Sequence, residues 1–94
     1  MSTANEALTT TWEKVADDTD SFIISVIGDS PVEVAFMDTD TAPSTDPEVE
    51  GHPLLQRDGI MRTSTGSNCP PGFVYMRVKD TSVASSIAYD VWTE

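Results

Sequence analysis

One cysteine, one histidine and five basic residues are all that this 94-residue chain holds of the groups on which much catalysis and all phosphate binding depend. With Cys69 as the single thiol, no intrachain disulfide forms, which fits synthesis in a reducing cytoplasm. His52 and Cys69 are too few for a structural zinc site, which takes four ligands. The same scarcity leaves a nucleophilic cysteine without an imidazole placed beside it by sequence. No G-x-S-x-G elbow and no phosphate-binding glycine loop occurs. The five Lys and Arg face 16 acidic residues, for a net charge of −11. Nucleic acid is excluded as a direct partner, because backbone phosphates are held by cations; anionic membrane surfaces are excluded for the same reason. No apolar run approaches the ~20 residues of a membrane span. The opening MSTANEALTTTW lacks the basic and apolar regions of a signal peptide, so none is expected. Neither an internal repeat nor a heptad is present.

What the chain does hold is alternation. Phe22, Ile24 and Val26 alternate with Ile23, Ser25 and Ile27; Gly28-Asp29-Ser30-Pro31 interrupts; Val32, Val34 and Phe36 then alternate with Glu33, Ala35 and Met37. Two such runs around a Gly-Pro turn predict a β-hairpin over Phe22–Asp38. Further strands are expected at Thr10–Val15, around Ile60, at Phe73–Lys79 and at Ser86–Trp92. Between them, TDTAPSTDPEVEGHP is a long proline-rich segment, expected to cross between two sheets or to project toward a partner. The aspartates at 17, 18 and 20, and at 38, 40 and 46, lack the glycine and closing glutamate of an EF-hand and read as turn formers.

This pattern predicts an all-β protein, a small antiparallel β-sandwich or barrel-like domain with an extended N-terminal arm. The arm is residues 1–11 and the single domain residues 12–94. The expected core is Phe22, Ile24, Val26, Val34, Phe36, Ile60, Val74, Met76, Val78, Ile87, Tyr89 and Val91. Because several strands are apolar on both faces, one face is expected to serve a subunit or partner contact. The candidate interface residues are Trp12, Phe22, Ile23, Ile27, Tyr75 and Trp92. No catalytic, cofactor or metal residue is assigned, and an enzyme is not expected in so short a chain with so little from which to build a cleft.

Taken together, the run ending in Gly-Asp-Ser-Pro-VEVAF, the loop ending Gly51-His52-Pro53-Leu54, the Gly59 turn, FVYMRV and IAYDVW resemble small β-sandwich proteins of tailed-phage virions. The resemblance covers about Thr10 to Trp92 and rests on turns and strands, so no functional residue carries over. It implies a non-enzymatic structural component of a virion made in the host cytoplasm. The role implied is capsid decoration or cementing, by a protein that oligomerises, for instance as a trimer, and binds the major capsid protein or other virion proteins. A fibre base or adaptor at the tail or neck is the alternative within that class. From other classes come a carbohydrate-binding module using Trp12, Tyr75, Tyr89 and Trp92, and an acidic inhibitor of a basic partner.

Overall fold

A computed structural model describes residues 4–28, 30–43, 51–78 and 85–93. Among the described residues, nine strands build two antiparallel sheets. They are β1 (Ala4–Leu8), β2 (Glu13–Ala16), β3 (Ser21–Val26), β4 (Val32–Met37), β5 (His52–Leu54), β6 (Gly59–Thr63), β7 (Gly66–Ser67), β8 (Phe73–Arg77) and β9 (Ser85–Trp92). The first sheet runs β1-β9-β3-β6-β7 and the second β2-β8-β4-β5. No helix occurs among the described residues, and the expected all-β sandwich is what the chain forms.

Period-two alternation decides which side chains meet between the sheets. From the first sheet come Leu8, Phe22, Ile24, Val26, Ile60 and Ile87, and from the second Ala16, Val32, Val34, Val74, Met76 and Val78, all buried. Phe36, Tyr89 and Val91 pack against this core while remaining half-buried. Leu8, Ala16 and Val32 were not among the expected core residues. Of the expected arm, residues 4–8 form β1 and join the first sheet in register with β9, Glu6 opposite Ile87 and Leu8 opposite Ser85, while residues 1–3 lie outside the described residues.

The expected hairpin does not form. β3 pairs with β9 and β6, and β4 pairs with β8 and β5, so the two apolar runs are inner strands of different sheets. The turn between them is a crossing. Ile27 and Gly28 both donate their N–H to the Ser86 carbonyl, at 2.9 and 3.2 Å. The Ser85 hydroxyl donates to the Ser30 carbonyl at 2.6 Å. A Cβ on Gly28 would lie 2.6 Å from the Ser86 nitrogen, so only glycine lets the chain pass this closely over the start of β9. Conversely, the proline-rich segment does not cross between sheets. It joins β4 to β5, neighbours in one sheet, with Val34 opposite His52; its residues 44–50 lie outside the described residues.

Candidate functional site

A small sandwich can meet a partner through its four sheet edges or its two outer faces. An exposed edge offers unpaired N–H and C=O groups to any passing strand. Here each edge is blunted. On β5, which is three residues long, Pro53 has no N–H to offer. On β2 the register slips between Lys14 and Ala16, and Lys14 is a charged residue on the edge. On β1 the inward side carries a carboxylate, Glu6. On β6 the pairing with β7 covers only Arg62 and Thr63; beyond it Asn68 takes the place of a strand. Its Oδ1 accepts the Met61 N–H at 2.8 Å, and its own N–H donates to the Met61 carbonyl at 3.2 Å.

The outer face of the second sheet is covered around Glu33, Arg77, Trp12 and Tyr75, all buried. Glu33 and Arg77 stand opposite each other on that face, and both are buried. Arg77 Nε donates to Glu33 Oε1 at 3.2 Å, and its guanidinium lies 4.4 Å from the Trp12 ring centre. Both described ends of the proline-rich segment are fastened here. Gly51 N–H donates to Glu33 Oε2 at 2.7 Å. Asp40 accepts from the Tyr75 hydroxyl at 2.7 Å and from Lys14 Nζ at 2.9 Å. The Tyr75 hydroxyl, and then the Lys14 ammonium, hold the Asp40 carboxyl below its usual range, while the same bond to Asp40 raises the Tyr75 phenol.

The outer face of the first sheet is open. Register places Asp90, Ile23 and Met61 in one row across β9, β3 and β6, with Ala88, Ser25 and Gly59 in the next. The second row is a floor of small residues; from the first, Ile23 and Met61 rise 45% and 41% exposed. Ile27 continues the same side of β3 and is 46% exposed. Beside it, the turn Leu55–Asp58 is tied to Val26 by Val26 N–H to the Asp58 carbonyl and Arg57 N–H to the Val26 carbonyl. That turn presents Leu55, 56% exposed.

The six candidate interface residues therefore separate. Ile23 and Ile27 lie on the open face, and half-buried Trp92 shares it, opposite Ser21 at the end of β9. Phe22 is corrected: it is fully enclosed in the core, because its parity along β3 is that of Ile24 and Val26. Trp12 and Tyr75 are corrected too: both are buried under the fastened loop ends on the other sheet. Met61 and Leu55, not among the six, are exposed as well. Met61 was within reach of sequence reasoning, since a strand with Ile60 inward must turn Met61 outward; Leu55 lies in a turn and carries no such signal.

Of the reactive groups, Cys69 is half-buried against the core and its thiol is pushed up by burial, the opposite of an activated nucleophile. Exposed His52 packs beside the Phe36 ring, 6.5 Å between centroids. No group of three or more His, Cys, Asp or Glu suited to a metal occurs among the described residues.

No family model, no curated protein and no solved structure matches this chain.

Proposed function

We propose that the protein is a non-catalytic assembly module that docks onto a larger protein scaffold through the outer face of its first sheet. The observation that carries this reading is the asymmetry of the surface: four blunted edges, one face whose centre is covered, and one open face that holds Ile23, Ile27 and Met61 beside the turn that presents Leu55. The magnitudes favour a scaffold over a free homo-oligomer. Burying four apolar side chains that are each about half exposed is worth roughly 3–6 kcal/mol. Association costs about 4–15 kcal/mol in lost freedom and ordering. Two such patches come close to break-even, and the charge of −11 on each copy opposes their meeting. A scaffold with basic groups at the contact rim turns that charge from an obstacle into an attraction.

The resemblance to tailed-phage virion proteins supplies a scaffold of that kind. In this reading the chain is a capsid decoration or cement protein, and its copies form a trimer only where capsid subunits hold them side by side. A tail or neck adaptor is distinguished by far fewer copies per particle. The carbohydrate platform is less favoured, since Trp12 and Tyr75 are buried.

The test is co-sedimentation with undecorated shells of the phage whose genome encodes the chain. The wild type should saturate them. The Ile23→Thr, Met61→Thr double variant, which adds no charge beside Asp90 and keeps β-branched strand formers, should melt close to the wild type and bind far more weakly. Unchanged binding by the variant, or absence of the chain from purified particles, rules the reading out.

A further inference from the structure

Asp90 is the one charged residue in the two rows that make up the centre of the open face. It stands in line with Ile23 and Met61, on β9 just past Tyr89, where the pairing with β1 stops. It is half-buried, and its Oδ1 is shut off from water with no hydrogen-bond partner. Such an oxygen weakens the free domain, since it has given up water and gained nothing in return. Among the described residues no ion pair reaches it. Lys14 meets Asp17 and Asp40, and Arg77 meets Glu33, all on the other sheet's side. Arg62 donates to the Asp17, Asp20 and Gly72 carbonyls. Arg57 belongs to the turn beside Ile27, at the far end of the face. The face is also hollow. Ile23 and Ile27 are four residues apart on an extended chain, which sets their ridges roughly 13 Å apart. Between them lies the low floor of Ala88, Ser25 and Gly59. A flat partner would rest on the ridges and forfeit contact with that floor. A convex one about 10–12 Å across, the width of a single α-helix, reaches it.

We propose that this face selects a convex apolar ridge of a scaffold protein, as wide as one helix, that carries a Lys or Arg to pair with Asp90. The selection rests on the docking proposed above and adds the partner's shape and charge to it. Asp90 is already largely desolvated before any partner arrives. An incoming ammonium or guanidinium therefore meets a charge from which little further water must be stripped. Once the partner is seated, Ile23 and Met61 beside the pair keep water out, and the attraction strengthens in the lower dielectric. The same carboxylate turns other partners away. A purely apolar ridge would bury it unpaired, and an acidic one would repel it.

Binding titrations on the same undecorated shells, with melting curves alongside, test this. Asp90→Asn should melt no lower than the wild type, since it relieves an unpartnered charge, yet bind at least about tenfold more weakly. A residue kept only for folding would show the reverse. Ala88→Leu should melt close to the wild type and bind about tenfold or more weakly, because its side chain fills the space the ridge enters. Ser25→Val makes the same obstruction from β3 and keeps the test decisive if Ala88→Leu folds poorly. On a flat partner the added apolar area would tighten binding instead. Undiminished binding by Asp90→Asn, or binding by the two filled variants as tight as the wild type's or tighter, overturns the proposal. The Ile23→Thr, Met61→Thr variant tells the two failures apart. If it binds like the wild type, or the wild type does not bind, the docking itself is wrong and the selection falls with it. If it loses binding while Asp90→Asn and Ala88→Leu do not, the docking stands and only the assigned shape and charge of the partner fall.

Discussion

Removing Glu33 should cost this protein a large part of its stability, and removing its partner as well should restore much of it. Glu33 and Arg77 are 8% and 3% exposed, so each is charged in a place that water scarcely reaches. Breaking a buried pair from one side typically costs 3–5 kcal/mol, because the surviving charge stays desolvated. In Glu33→Leu the survivor is the Arg77 guanidinium, and the Gly51 N–H loses its acceptor as well, an unsatisfied donor worth about 1–3 kcal/mol. A domain of this size holds roughly 5–14 kcal/mol in all. A loss of about 4 kcal/mol, read by urea unfolding with a slope near 1 kcal/mol/M, moves the midpoint down by roughly 3–4 M. The double variant Glu33→Leu, Arg77→Met removes the buried guanidinium as well. It still loses the Trp12 stacking contact, worth about 1 kcal/mol, and the Gly51 acceptor. It should nevertheless be more stable than Glu33→Leu alone, with a coupling energy above about 2 kcal/mol. If Glu33→Leu costs under about 1 kcal/mol, or the two changes are additive, the pair is not the fastening described above.

Gly28→Ala should destabilise by about 1–3 kcal/mol in the same assay, because the new methyl meets Ser85 and Ser86 backbone atoms that cannot swing aside; an unaltered midpoint would show that the crossing has slack. Asn68→Ala should cost roughly 1 kcal/mol and raise concentration-dependent light scattering, since the Met61 N–H then faces solvent as a free edge. Asn68→Asp keeps the acceptor and should stay dispersed; equal scattering from both variants would remove Asn68 from that role. The lowered Asp40 pKa contributes stability that is present above the ordinary aspartate range and lost as pH falls through the folded value. Asp40→Asn should therefore shallow the acid limb of a stability–pH curve, and an unchanged limb would separate Asp40 from acid sensitivity.

Strand positions were legible in this sequence, and the pairing between strands was not. Alternation located β3, β4, β6, β8 and β9 because burying one face imposes period two on the residues. It assigned the inward parity of Phe22, Ile24, Val74 and Met76 correctly. It could not say whether the chain at Gly28 folds back beside itself or over onto a second layer. The two outcomes use the same turn residues, and only contact with Ser85 and Ser86, more than fifty positions away, decides between them. The proline-rich stretch misled in the opposite direction: its length suggested a crossing, yet it joins neighbouring strands. Trp12 and Tyr75 read as interface aromatics because nothing local marks a residue whose cover is supplied by Asp40 and Gly51. The outward position of Ile23 and Ile27 was legible because a strand apolar on both sides has one side left over.

The position of β9 bears on how this protein comes into being. Its residues, 85–92, lie between β1 and β3, so the first sheet is divided into two unjoined parts until the last strand is in place. On a ribosome, nothing emerging before residue 85 can seal that sheet. Ile24 and Leu8 must wait, with their apolar sides uncovered, for Ile87 to arrive. Folding should then be all-or-none and slow for so small a chain, governed by contacts distant in sequence. A nascent or clipped chain that ends short of β9 would be an aggregation-prone precursor.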